Sequence, residues 1–231
     1  MADKASALIV GAGSGLSASL ARLLAAEGMK VSLAARNAGK LADLARETGA
    51  EVFACDATVA DQVESLFQAI EGKHGTPGLV VYNASYRVRG PLVELDREEV
   101  RKTLLVTAHA GFLVAQAAAK RMLSRGSGAI FFTGASASVK GYAESAPFAM
   151  GKFALRGLAQ SMARELAPRG IHVAHFVIDG RIGPQGDMQG DMPRDAQLHP
   201  DEIARNYLHV YRQGRSAWTW EVELRPWVER F

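Results

Sequence analysis

The chain has 231 residues, 48% hydrophobic and 22% charged, a composition typical of one soluble globular domain. The net charge of +3 is small, and the basic residues are interleaved with acidic ones, which argues against nucleic acid as a partner. No apolar run approaches the roughly 20 residues that span a bilayer, so we expect no membrane partner. The single cysteine, Cys55, excludes an intrachain disulfide and fits a cytoplasmic location.

Short β-rich runs alternate with longer segments of helical periodicity along the chain. The predicted strands are 7–10, 30–33, 51–54, 79–82, 129–133, 172–177 and 218–224. The predicted helices are 16–27, 39–48, 60–71, 98–124 and 148–167. Strands that are apolar on both faces suit a buried parallel sheet. The pattern therefore predicts an α/β fold in which residues 1–231 form a single doubly wound domain, with a mostly parallel seven-stranded sheet flanked by helices.

A glycine-rich turn follows the first strand and leads into the first helix. Glycines let the backbone approach a pyrophosphate, and the helix N-terminus supplies free N–H groups and a positive dipole end. The context of strand, turn and helix predicts a Rossmann-type dinucleotide site. The predicted phosphate-binding residues are Gly11, Gly13, Ser14, Gly15 and Leu16. A tight turn without a ligand is the alternative.

The end of the second strand indicates which dinucleotide binds. An NAD site would have Asp or Glu here, whereas this chain has Arg36 followed by Asn37. Arginine can hold a 2′-phosphate, and no acidic residue competes with it. We therefore predict NADP(H) as the cofactor, with contacts from Arg36 and Asn37. The alternative is that Arg36 is a solvated loop arginine.

With these features and two further motifs, the sequence resembles the short-chain dehydrogenase/reductase family over nearly its whole length. The glycine turn is similar to Thr-Gly-x-x-x-Gly-x-Gly, with Val10 and Ser17 at its first and last positions. Tyr82-Asn83-Ala84-Ser85 resembles Asn-Asn-Ala-Gly, and Phe148-Ala149-Met150-Gly151-Lys152 falls on Tyr-x-x-x-Lys. The resemblance implies further cofactor contacts from Asp56, Ala57, Asn83, Ala84, Ser85, Lys152, Gly180 and Ile182.

The resemblance also shows that the family's proton relay is altered in this chain. In the family a tyrosine exchanges a proton with the substrate, and a lysine four residues later holds the nicotinamide ribose and lowers the tyrosine pKa. A serine orients the substrate carbonyl, and an asparagine completes the relay. Phe148, Ala135 and Thr107 occupy the Tyr, Ser and Asn positions, so Lys152 alone is retained.

Other hydroxyl groups are candidates to replace the lost ones. We predict catalytic roles for Lys152, for Ser136 beside the lost serine position, and for Tyr142 in the loop before the lysine helix. Tyr86 is a second tyrosine candidate, and both tyrosines have the alternative of being pocket-wall aromatics. Ser145 precedes Lys152 by seven residues, the spacing at which one enoyl reductase branch has its tyrosine.

The remaining segments bear on substrate, oligomer and metal. Residues 179–200 have no periodicity and are predicted to form a substrate loop at the ligand-binding end of the sheet. Residues 218–227 are predicted to form a last strand and an oligomer contact. Small residues on helices 101–123 and 148–167, which pair between subunits in the family, imply a homodimer or homotetramer. His172 and His175 have no further ligands nearby in sequence, so we expect no metal site.

Two functions follow from these observations. The first is an NADP(H)-dependent oxidoreductase with an altered proton relay, acting on a small-molecule substrate whose acceptor group is an activated double bond or a carbonyl. An activated double bond is favoured because it needs a weaker acid than a ketone does. The alternative is an NADP(H)-binding pseudoenzyme that acts as a redox sensor or scaffold without turnover.

Overall fold

A computed structural model describes residues 5–183 and 196–229. Within these residues the strands are β1 Ser6–Val10, β2 Lys30–Ala35, β3 Glu51–Ala54, β4 Leu79–Tyr82, β5 Gly128–Thr133, β6 Ile171–Ile178 and β7 Glu221–Leu224. They form one seven-stranded sheet in the order β3-β2-β1-β4-β5-β6-β7. Every neighbouring pair is parallel. The order reverses beside β1, where sheets of this kind bind ligands.

Helices cover both faces of the sheet. They are α1 Leu16–Ala26, α2 Ala42–Thr48, α3 Ala60–His74, α4 Arg97–Leu104, α5 Ala110–Arg125, α6 Ala146–Leu166 and α7 Pro200–Tyr211. A π-helical turn, Leu105–His109, joins α4 to α5 without a break. Left-handed glycines end α2 at Gly49 (φ 69°) and α5 at Gly126 (φ 72°), a conformation that costs glycine little.

Two hydrophobic cores lie on opposite faces of the sheet. One packs α1 and α7 against it, and the other packs α3, α5 and α6. Side chains of β6 alternate between the two cores, so that Phe176 stacks on Tyr207 of α7 at 3.6 Å while Val173 faces the other core. This alternation also places His175 on the α6 side of the sheet and His172 on the opposite side.

The elements differ from the sequence predictions in three places. Helix α7 was not predicted; it buries one face, which includes Ile203 and Tyr207, against α1 and the sheet. The predicted helix 98–124 contains the π-helical turn, and the predicted strand 218–224 is reduced to Glu221–Leu224. Of the predicted substrate loop 179–200, residues 184–195 lie outside the described residues.

Candidate cofactor and active site

A cavity of about 500 Å³ opens at the carboxyl ends of β1 to β4. It brings together most of the residues predicted to bind the cofactor. These are Gly11, Gly13, Ser14, Arg36, Asn37, Asp56, Ala57, Asn83, Ala84 and Ser85. Gly15 and Leu16 are next in the chain, at the cap and first residue of α1. Ser136, Tyr142, Lys152, Gly180 and Ile182 do not line this cavity.

The glycine turn closes against β4. A Cβ on Gly11 (φ 83°) would lie 2.4 Å from the Ala84 nitrogen, so the position requires glycine. Ser17, at the position predicted for the family's last glycine, donates from its Oγ to the Gly11 carbonyl at 3.3 Å. Asn83 Nδ2 donates to Ser17 Oγ at 2.8 Å. The departure at Ser17 therefore ties the turn to β4 by a hydrogen-bond chain.

The start of α1 is suited to an anionic group. Gly15 makes no side-chain cap, and the first turn holds no acidic residue, so the positive end of the helix is left for a ligand. Nothing lies within 4 Å of a Cβ built on Gly13, so the backbone is open on the cavity side. These donors fit the pyrophosphate of a dinucleotide.

Two cationic side chains, Arg36 and Lys40, line the cavity near the end of β2. Arg36 was predicted to bind the cofactor. Lys40, in the 3-10 turn Ala38–Leu41, was missed because it lies beyond the end of the strand and outside any motif. Across the cavity, hydrogen bonds from Thr58, whose Oγ1 lies 2.7 Å from Asp56 Oδ1, and then the charge of Arg36 lower the pKa of Asp56. This arrangement fits a phosphorylated adenosine ribose beside the cations.

Lys152 projects from α6 into the interior. Its side chain is buried, and Nζ donates to the Thr133 carbonyl at 2.7 Å. Burial lowers the pKa of Lys152 to about 8. Phe148, one turn earlier, places its ring centroid 5.7 Å from this ammonium, and Arg87 covers the same ring at 5.0 Å. The position predicted for the family tyrosine thus holds a ring between two cations, without a hydroxyl.

Thr107, at the position predicted for the family's asparagine, lies in the π-helical turn. It is fully buried, and its Oγ1 accepts from the Tyr86 N–H at 3.3 Å. A Cβ on Gly151 would lie 2.9 Å from Thr107 Cβ, so α6 packs closely on this turn. Thr107 therefore serves the packing of α6 and the loop after β4.

The predicted replacement hydroxyls occupy different environments. Ser136 is half-buried at the start of a 3-10 turn, whereas Ser138 is fully buried and its Oγ accepts from the Ala135 N–H at 3.1 Å. Tyr142 is 44% exposed. Ser145 Oγ is buried and has no hydrogen-bond partner among the described residues.

A short polar chain links Tyr142 to the end of β6. Lys140 lies 5.8 Å from the Tyr142 ring centroid, and its Nζ is 3.4 Å from Asp179 Oδ2. Hydrogen bonds, first with Tyr142 and then with Asp179, raise the pKa of Lys140. Asp179 is buried, and Arg225 lies 3.7 Å from the same oxygen. The predicted cofactor contacts Gly180 and Ile182 follow directly, and Ile182 bridges to Leu198.

A partly buried group of charged and titratable side chains between α6 and the last two strands was not predicted from the sequence. Arg156, one turn after Lys152, binds Glu221 of β7 through Nε at 2.6 Å and through its terminal nitrogen at 2.7 Å. His175 Nδ1 lies 3.0 Å from the same carboxylate. The spacing of Lys152 and Arg156 was the available sequence signal, because residues i and i+4 share a helix face.

Two general features bear on the kind of site. Within residues 5–183 and 196–229 there is no group of three or more His, Cys, Asp or Glu side chains arranged to hold a metal ion. Over the same residues, no helix combines the length and the apolar character needed to cross a membrane.

Comparisons with known proteins identify the family. The model of the short chain dehydrogenase family matches residues 5–181. A 3-oxoacyl-acyl-carrier-protein reductase, MabA, of Mycobacterium tuberculosis is 31% identical, with 92% of this chain and 81% of that protein covered. D-threitol dehydrogenase of Mycolicibacterium smegmatis is 29% identical, over 86% of this chain and 82% of its own length. The chain belongs to the short-chain dehydrogenase family, a family of NAD(P)-dependent oxidoreductases.

Solved structures show the same architecture. A short-chain dehydrogenase from Rhodopseudomonas palustris superposes with a TM-score of 0.83 at 38% identity, covering 96% of this chain and 99% of that one. A metagenomic short-chain oxidoreductase in complex with NADP superposes with a TM-score of 0.85 at 27% identity, covering 97% and 98%. The predicted single Rossmann-type domain and the predicted family are therefore confirmed.

Proposed function

We propose that this chain is an NADP(H)-dependent oxidoreductase with an altered proton relay, whose acceptor is an activated double bond or a carbonyl. The cavity that carries this proposal combines an uncapped helix N-terminus with two cations at the ribose end. Two solved relatives contain NADP or NADPH: the metagenomic oxidoreductase and, at 25% identity, a variant of actinorhodin polyketide ketoreductase. They support the choice of cofactor.

The cofactor residues divide the binding task between them. The glycine turn and the start of α1 hold the pyrophosphate with backbone N–H groups, at little cost in reorganisation because the turn is already tied to Asn83. Arg36 and Lys40 would pair with the 2′-phosphate, and Asp56 would hold the adenosine portion. Lys152, a buried side chain, would donate to the nicotinamide ribose. The bound cofactor supplies the hydride.

The proton must come from a group other than residue 148. Losing a general acid typically costs about a hundred- to ten-thousand-fold in rate. An activated double bond tolerates that loss better than a ketone does, because the carbanion formed by hydride addition is already stabilised. Tyr142 is the proposed proton donor, since Lys140 connects it to Asp179 at the nicotinamide end. Ser136 is the proposed group that orients the acceptor.

The test of the cofactor proposal is a fluorescence titration with NADPH and NADH. We expect NADPH to bind more tightly than NADH, and Arg36→Asp to weaken NADPH at least about tenfold, because a charge-assisted phosphate contact becomes a repulsion. Arg46→Asp makes the same charge change at an exposed position of α2, away from the cavity, and is expected to leave both affinities unchanged. Equal loss in the two variants would contradict the proposal.

Turnover separates the enzyme from a pseudoenzyme. Purified protein is assayed for NADPH oxidation with α,β-unsaturated carbonyl compounds and with ketones. We expect turnover with the former and at least about a hundredfold loss in kcat for Tyr142→Phe. Tyr211→Phe, at the amino end of the sheet, is the matched control. Tight NADPH binding without oxidation of any compound would instead favour the redox sensor or scaffold.

Assembly and location belong to the same proposal. Phe112 on α5 and Phe153 on α6 are 41% and 44% exposed, and Met150 is 51% exposed, which supports a homodimer or homotetramer built on these helices. Light scattering should show an oligomer that Phe153→Asp dissociates. A cytoplasmic location, a substrate loop at 179–200 and an oligomer contact at 218–227 remain parts of the proposal.

A further inference from the structure

Four titratable or charged side chains lie near one another between α6 and the last two strands. They are Lys152, Arg156, His175 and Glu221. The Glu221 carboxylate accepts hydrogen bonds from Arg156 Nε at 2.6 Å and from Arg156 Nη2 at 2.7 Å. Its Oε2 lies 3.0 Å from His175 Nδ1. The Arg156 and Glu221 side chains are 32% and 18% exposed, while His175 is fully buried. The group therefore runs from the surface to the interior below Lys152.

His175 has an unused acceptor in this group. Its pKa is lowered to about 4, chiefly by burial, so the ring is neutral at neutral pH. With the Glu221 carboxylate at Nδ1, that nitrogen carries the proton and donates it. Nε2 is then a lone-pair acceptor, and it is buried with no hydrogen-bond partner among the described residues. A buried acceptor of this kind costs free energy unless a donor reaches it.

The free nitrogen of His175 and the Lys152 ammonium converge on one stretch of backbone. Lys152 Nζ donates to the Thr133 carbonyl at 2.7 Å. A Cβ built on the next residue, Gly134, would lie 2.3 Å from His175 Nε2. The positive charge of Lys152 contributes to the low pKa of His175, which also places the two groups within electrostatic reach. One of the three ammonium N–H groups is engaged by Thr133, which leaves donors for Nε2.

We propose that His175, oriented by Glu221, accepts a hydrogen bond from the Lys152 ammonium through one bridging water, and so positions that ammonium for the cofactor ribose. The inference rests on the proposed function. His175 is a positioning residue, because it acts through Lys152.

Charged or titratable groups lie on the elements packed around Lys152. Arg156 lies on the same helix, His175 on β6 and Glu221 on β7. Arg87, in the loop after β4, faces Lys152 across the Phe148 ring. The pKa of Lys152 is low because burial disfavours the charged ammonium, so an acceptor for that ammonium has a measurable consequence.

The first arm of the test needs no cofactor. The protein is labelled with 15N-histidine, and the His175 Nε2 shift is followed by NMR from pH 6 to 10. We expect this shift to titrate near pH 8 with Lys152 and to lose that titration in Lys152→Met. A His175 shift that is constant over this range and unchanged in Lys152→Met would overturn the proposal, whether or not NADPH binds.

The second arm measures the dissociation constant of NADPH against pH. Affinity should fall as Lys152 loses its proton near pH 8, and His175→Leu should move this midpoint down by about one pH unit, since an acceptor for a charged donor is lost. His175→Gln, which keeps an amide acceptor, should restore part of the shift. A midpoint that is the same in all three proteins would overturn the proposal.

The matched control is His172→Leu. His172 is a buried histidine of the same strand, but it lies on the opposite face, stacked on Trp218 at 4.6 Å. This variant is expected to lose stability and to keep the wild-type midpoint. An equal midpoint shift in His172→Leu and His175→Leu would show a structural effect only. If His175→Leu does not fold, Glu221→Gln is used, with a smaller shift expected in the same direction.

Discussion

Replacing Lys152 with methionine should make the protein more stable at neutral pH, although it removes a proposed functional group. Lys152 is fully surrounded by protein, and burial lowers its pKa from the ordinary 10.5 to about 8. Below pH 8 the lysine is protonated in both the folded and the unfolded chain, so the folded chain bears the whole cost of burying the charge.

The magnitude follows from the two pKa values. Their difference corresponds to roughly 3 kcal/mol of free energy. The substitution also removes the hydrogen bond from Nζ to the Thr133 carbonyl, which offsets about 1 kcal/mol. Lys152→Met is therefore expected to raise the free energy of unfolding by about 2 kcal/mol at pH 7. Between pH 8 and 10.5 the folded wild type releases the proton and the unfolded chain keeps it, so the wild type recovers and the advantage disappears.

The assay is urea unfolding followed by circular dichroism at pH 7, 8.5 and 10. Using the difference between the two proteins at each pH removes the contributions of all other titrating groups. Lys120→Met, at an exposed position of α5, should change stability by less than about 0.5 kcal/mol at every pH. A variant that is less stable than the wild type at pH 7, or a difference that is independent of pH, would show that burial of the Lys152 charge does not destabilise the fold.

Three further predictions concern stability. Gly134→Ala should lower the free energy of unfolding by about 1–3 kcal/mol, because its Cβ would lie 2.3 Å from the His175 ring. Gly141→Ala, with open space around it, should leave stability in urea nearly unchanged, and equal effects of the two substitutions would contradict this prediction. Between pH 6.5 and about 4, His175 is protonated in the unfolded chain and neutral in the folded one, so the free energy of unfolding of the wild type should fall by roughly 3 kcal/mol. In acid titrations, His175→Gln should make stability less dependent on pH over this range. Asp96→Ala should lower the melting temperature at a cost of about 1 kcal/mol, since the Asp96 carboxylate caps α4 by accepting from the Glu98 N–H at 2.8 Å, and Asp96→Ser should retain most of that stability.

Several features could be predicted because they depend on short stretches of chain. The glycine turn, Arg36 after β2 and the Phe148 to Lys152 spacing each lie within a few residues, where backbone periodicity relates sequence directly to geometry. The same local patterns predicted the order of strands and helices. Helix α7 was missed because an aperiodic, proline-containing segment precedes it. Its first residue was therefore not recognised, and its amphipathic pattern was not interpreted as a helix.

The fold class and the family resemblance could be predicted from the sequence, and so could the proposed loss of the tyrosine, because each depends on residue identity and local spacing. The partners of those residues depend on the tertiary structure. Ser17 meets Asn83 across 66 positions, and His175 meets Glu221 across 46. Such contacts depend on strand order and register, which bring distant segments of the chain together. Where these contacts are buried, the local dielectric is low, so one hydrogen-bond acceptor or one charge has a large electrostatic effect.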